Sequence, residues 1–140
     1  MRQLTISARL HGSAPEASGD PPATDPSAQS ISVEARAADA APVAIADAAY
    51  TSHVVFTGPV TFAETGTIRY GDGEVDIVAA GEGTIGPAAD SRYMHGAVVW
   101  SVIAGRGDLT GATGLITSNF VIDTTTGEHD DDQVAVLYLP

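Results

Sequence analysis

The chain contains no cysteine and no lysine, and its six basic residues are all arginine. Without cysteine there is no disulfide framework, no thiolate nucleophile and no Cys-ligated zinc or iron–sulfur centre. Positive charge is scarce altogether, because 18 acidic residues against 6 basic ones leave a net charge of -12. Such a surface repels a phosphate backbone and an anionic leaflet, so neither nucleic acid nor membrane is an expected partner. Aromatic residues make up only 6% of the 140 positions, and tryptophan occurs once, at Trp100. No apolar run approaches the roughly 20 residues of a membrane span, and the first ten residues carry no signal-peptide core. With 44% hydrophobic residues the chain can still bury a core, as a single domain over 1–140 that is expected to be soluble and cytoplasmic.

Helical periodicity is also largely missing. Residues 2–10 alternate Leu4, Ile6, Ala8 and Leu10 against polar neighbours, the two-residue period of a half-buried strand. Residues 11–29 hold Pro15, Pro21, Pro22 and Pro26 among Ser, Gly, Asp and Ala, a density no helix or central strand survives. That stretch is expected to be a long loop, either a mobile linker or a lid. The Ala-rich piece over 35–49 suits a short helix on propensity, while Pro42, Val43 and Ile45 argue for a break followed by a strand. Strands are expected over 50–57, 60–70, 74–85, 93–104, 114–123 and 133–139, separated by Gly-, Pro- and Asp-rich turns. With 2–10 and 30–37 this makes about eight short strands, the pattern of a sandwich or a barrel. Strands near ten residues favour an all-β, eight-stranded antiparallel up-and-down β-barrel of calycin-like form, whose interior holds one small ligand.

Strand parity then nominates the interior. In 60–70, Val60, Phe62, Ile68 and Tyr70 share a face with Glu64, opposite Thr61, Thr65, Thr67 and Arg69. If that face points inward, Glu64 is a carboxyl in an apolar tube whose pKa rises, a candidate general acid or base. A rim position, or a bulge near Gly66 turning Glu64 to solvent, is the alternative. In 93–104 one face carries Met94, Val98, Trp100 and Val102, and the other Tyr93, His95, Ala97, Val99 and Ser101. Both are apolar enough for burial, as where a barrel packs on a second subunit. His95 is then an interior acid–base group, an interface histidine or a structural one. In 114–123, Ile116, Ser118, Phe120 and Ile122 form the better core face, although Asn119 reaches a ligand carbonyl if the opposite face lines the lumen.

Other motifs are weak. Four histidines (His11, His53, His95, His129) lack ligand-like spacing, so no metal is expected. The acidic run over 128–132 lacks the spacing and glycine of a calcium loop and reads as a solvated turn. No phosphate-cradling glycine loop precedes a helix, so no nucleotide cofactor is expected. Arg106-Gly107-Asp108 reads as a hairpin turn, and no Ser-His-Asp order sits on a strand-to-helix elbow.

The segment Trp100-Ser-Val-Ile-Ala-Gly-Arg-Gly-Asp-Leu-Thr-Gly-Ala-Thr-Gly114, followed by an alternating strand, resembles the Trp/Gly hairpin of the allene oxide cyclase-like and dirigent-like β-barrels. The hairpin over 81–86 and the closing strand with Tyr138 look similar too, so the resemblance covers about 43–139. It implies an eight-stranded barrel with a hydrophobic lumen, often a homo-oligomer, here a dimer, that binds a reactive small molecule and steers its cyclisation. Bacterial [4+2] cyclases of spirotetronate and spirotetramate polyketide assembly are among such proteins, and in some an N-terminal segment closes over the barrel. The expected function is therefore a cofactor-independent cyclase or isomerase of an apolar, polyketide-like molecule, with 11–29 as the candidate lid. A non-catalytic carrier using the same lumen is the alternative. Glu64, Tyr70 or His95 would act as acid, base or hydrogen-bond donor, Asn119 and Tyr93 would position the ligand, and Trp100, Phe62 and Tyr50 would shape the wall.

Overall fold

The computed structural model describes residues 1–39 and 41–140, and no helix occurs among them. Their strands are β1 (Arg2–Ser13), β2 (Ala23–Thr24), β3 (Ser27–Ala37), β4 (Pro42–Val43), β5 (Ala48–Phe56) and β6 (Thr61–Tyr70). They continue as β7 (Gly73–Ala79), β8 (Gly83–Pro87), β9 (Tyr93–Gly107), β10 (Thr113–Asp123) and β11 (Glu128–Leu139). Every pairing is antiparallel, and β1, β3, β5, β6, β7, β9, β10 and β11 each pair with the next in that order. The last strand closes on the first, with Arg2 opposite Leu139 and Ser13 opposite Glu128. Eight strand positions thus form a closed up-and-down barrel.

One of those positions is shared. β7 and β8 both pair with β6 and with β9, and residues 80–82 bulge between them. The single strand expected over 74–85 is therefore interrupted where glycines flank Glu82. The seam between β3 and β5 is the weakest, since only Ser27–Gln29 pair with Ala49–Thr51. Beyond it, β4 lies along β3, and the Ala48 amide donates to the Ser30 hydroxyl at 2.9 Å.

Three other sequence expectations change. The Pro-rich loop is shorter than 11–29, because β1 runs through Ser13 and β3 begins at Ser27. Its remainder is held to β5 through the carbonyls that prolines keep: the Phe56 amide donates to Pro22 O at 2.9 Å and the Ser52 amide to Pro26 O at 3.1 Å. The Ala-rich stretch forms β3, β4 and β5 rather than a helix; Ala40 lies outside the described residues. The acidic run over 128–132 is strand, not turn, because pairing with β1 and β10 holds its backbone extended.

The interior divides into two halves. Around Leu4, Ile6, Ile68, Tyr70, Val75, Ile77, Ile116 and Leu137 it is filled by buried apolar side chains, each aliphatic one contributing about 2 kcal/mol by leaving water. Leu109, in the turn after β9, folds back beneath this half and plugs it, 3% exposed. The other half is lined by aromatic rings. Gly83 and Gly96 make room for two of them: a Cβ on Gly83 would sit 2.2 Å from the Phe62 ring, and one on Gly96 2.4 Å from that of Phe120.

Candidate functional site

Alternation along the strands decides which side chains enter the aromatic half. β5 points Tyr50, Ser52 and Val54 inward, β6 Phe62 and Glu64, β9 Trp100, β10 Ser118, and β11 His129, Asp131 and Gln133; all are buried. Of these, Tyr50, Val54, Phe62, Glu64, Trp100, Ser118 and His129 border a cavity of about 60 Å³. Its walls are ring-rich. Tyr50 and Trp100 lie 5.9 Å apart between centroids, Phe62 and Phe120 6.1 Å, and Phe56 and Phe62 6.4 Å.

Two carboxyls sit in this apolar surround. The Ser52 hydroxyl donates to Glu64 Oε2 at 2.6 Å and the Trp100 indole N–H to Oε1 at 2.9 Å. Burial raises the Glu64 pKa; these two hydrogen bonds oppose the rise and the neighbouring Asp131 adds to it. Asp131 accepts from the Ser118 hydroxyl at 2.7 Å and from the Gln133 amide at 2.8 Å. Burial lifts its pKa to about 6 against those two hydrogen bonds, with a further push from Asp132. Ser118 borders the cavity, so Asp131 addresses it through that hydroxyl.

A third pair completes the site. Tyr50 Oη and His129 Nε2 share a hydrogen bond of 2.7 Å. Burial lowers the His129 pKa, so the ring is neutral at pH 7. Burial and the nearby acids raise the Tyr50 pKa, keeping its phenol protonated. Among the described residues, three buried side-chain polar atoms have no hydrogen-bond partner: Tyr70 Oη, His129 Nδ1 and Gln133 Oε1. Among the described residues, no three metal-ligating side chains converge.

The Pro-rich segment roofs this half. Ala14, Thr24 and Pro26 border the cavity, and β2 pairs Ala23 and Thr24 with Val55 and Val54 of β5. Outside, a groove of about 600 Å³ runs between residues 13–17 and the barrel rim, sharing Ala14, Thr24, Phe56, Ile85 and Ile122 with the cavity.

Of the residues nominated from sequence, Glu64, Tyr50, Phe62 and Trp100 meet at the cavity. Tyr70 is inward but six residues further along β6, in the filled half. His95, Tyr93 and Asn119 are corrected: β9 buries Val98, Trp100 and Val102, and β10 buries Ile116 and Ser118, so the odd-numbered positions face outward. His95 and Asn119 are exposed there, and Tyr93 is half-buried with the Arg92 guanidinium over its ring at 5.4 Å. Residues not nominated were Ser52, Ser118, His129, Asp131 and Gln133. Comparison with protein-family models, with curated proteins and with solved structures finds no match for this chain.

Proposed function

We propose that the barrel is a cofactor-independent cyclase or isomerase that holds an apolar, polyketide-like molecule at the aromatic end of its lumen. The observation that carries this reading is Glu64, a buried carboxyl of raised proton affinity at the wall of an apolar cavity. Protonated, it donates to a substrate carbonyl; the proton returns to Glu64 when the new bond closes, so substrate and product are isomers. An intramolecular [4+2] closure, as the resemblance around Trp100 implies, needs the same carbonyl activation together with a folded substrate shielded from water. The cavity alone is below the roughly 300 Å³ at which ligand pockets usually begin. The substrate therefore also occupies the groove beneath residues 14–26, which act as its lid. The carrier reading rests on one feature, that both Glu64 oxygens already have partners.

Purified protein incubated with an extract of the source strain lacking this gene, followed by liquid chromatography–mass spectrometry, separates the two. The expected result is a compound replaced by a product of identical mass and new retention time, with Glu64→Gln about a hundredfold slower. A compound that co-purifies unchanged would move the assignment to the carrier.

The same reading includes a dimer of bacterial origin, for which we propose an interface on the outer face of β9–β11. Val99, Ile103, Leu115, Val134 and Tyr138 are exposed there, with Leu115 opposite Val136 and Thr117 between Val99 and Val134. No charged residue interrupts that cluster on a chain of net charge -12, so it is where two copies approach without repulsion. Sedimentation should give twice the chain mass, and the double change Ile103→Lys with Leu115→Lys should give the monomer. A monomeric wild type would exclude the interface.

A further inference from the structure

We propose that the lumen cavity recognises a basic nitrogen: its ligand is an amphiphilic amine whose head pairs with Glu64 beside the packed Tyr50 and Trp100 rings. This rests on the reading above that the lumen binds a ligand, and not on Glu64 acting as the acid: a Glu64 paired with an ammonium has no proton to give a carbonyl, so here it is the counter-ion of the ligand.

The sign of charge is the first argument. None of the six arginines borders the cavity. Glu64 lies at its wall and Asp131 stands behind Ser118, while His129 is neutral. A carboxylate, phosphate or enolate would meet two acids and no cation. An amine meets a partner whichever of the two groups brings the proton, because a carboxylic acid and a free amine give the same ion pair as a carboxylate and an ammonium. Proton and charge balance without any further reactant.

The wall chemistry is the second. An ammonium gains from aromatic faces, and the Tyr50 and Trp100 rings, packed on each other at 5.9 Å, both border the cavity beside Glu64. The third is an unused donor or acceptor. His129 borders the cavity, is 3% exposed, and its Nδ1 has no partner. In the tautomer whose Nε2–H donates to Tyr50, that nitrogen offers a lone pair to a second ammonium hydrogen. The fourth is size. About 60 Å³ admits a small head group, and the adjoining groove of about 600 Å³ takes an apolar tail along Phe56, Ile85, Met94 and Ile122.

Trp100, the only tryptophan, reports on the site directly. Its fluorescence should be followed while the wild-type protein is titrated with n-hexylamine, 1-hexanol and sodium hexanoate. The amine should bind about tenfold more tightly than the alcohol, and hexanoate should not bind. Glu64→Gln, checked for native circular dichroism, should bring the amine down to the alcohol's affinity. Equal binding of amine and alcohol by the wild type, or tighter binding of hexanoate, would overturn the amine inference and leave the lumen as a ligand site. No binding of any of the three would overturn both readings.

Discussion

Replacing Trp100 by alanine is expected to lower the unfolding free energy by about 4 kcal/mol, a large share of the 5–15 kcal/mol typical of a domain. The ring is 1% exposed and packs beside Tyr50, so its removal leaves a void the closed barrel cannot collapse into. The void is only part of the loss, because Glu64 Oε1 also loses the indole donor at 2.9 Å. Trp100→Phe separates the two contributions. It keeps most of the volume, removes the N–H, and costs about 1–2 kcal/mol. The sign of its pH dependence is fixed: without that donor the folded-state pKa of Glu64 rises further, so the cost grows from pH 5 to pH 8. Urea denaturation followed by far-ultraviolet circular dichroism at both pH values measures all of this. A change below about 1 kcal/mol for the alanine variant would place the ring outside the core.

Alternation made most of this barrel legible. Leu4, Ile6, Ala8 and Leu10 are inward as their period requires, and so are Phe62, Glu64, Ile68 and Tyr70. Neither the suspected bulge at Gly66 nor a rim position applies to Glu64, which is 6% exposed. Parity failed where both faces of a strand are apolar. On β9 the outward Val99 and Ile103 mimic a core face, and that ambiguity kept His95 and Tyr93 as candidates. The largest omission lies in β11. Five consecutive polar residues look like a solvated turn, yet extending the parity of Leu139, Leu137 and Ala135 backwards reaches Gln133, Asp131 and His129. The signal was present in the spacing but masked by composition, since charge usually marks surface. Where the Pro-rich segment lands was not legible, because its contacts with β5 run through backbone carbonyls that no side-chain pattern records.

Asp131 supplies the second large effect: the protein is expected to lose about 3 kcal/mol of stability as pH rises from about 4 to about 6. Its carboxyl takes up a proton at about 6 in the folded chain against a model value of 3.8. Within that window the folded state holds more protons than the unfolded one, so raising the pH favours unfolding. The stabilisation is complete below the unfolded value and gone above the folded one. Glu64, also raised by burial, acts in the same direction. Asp76 and Asp123, lowered chiefly by Arg106 and Arg92, act oppositely as pH falls, but both pairs are solvent-screened and weak. Asp131→Asn should flatten the profile. The Ser118 hydroxyl still finds an acceptor, and Gln133, turned over, offers its unpartnered Oε1 to the new side-chain N–H. In urea denaturation the variant should match the wild type at pH 4 and exceed it by about 3 kcal/mol at pH 7. A wild-type profile flat between those values, or a variant less stable at pH 7, would show that the buried carboxyl is compensated by a partner other than Ser118 and Gln133. If the profile falls as expected, the neutral-pH fold carries two acids at a cost that an amide would remove. A barrel selected for stability alone has no reason to keep them, whereas a lumen that moves or binds a proton does.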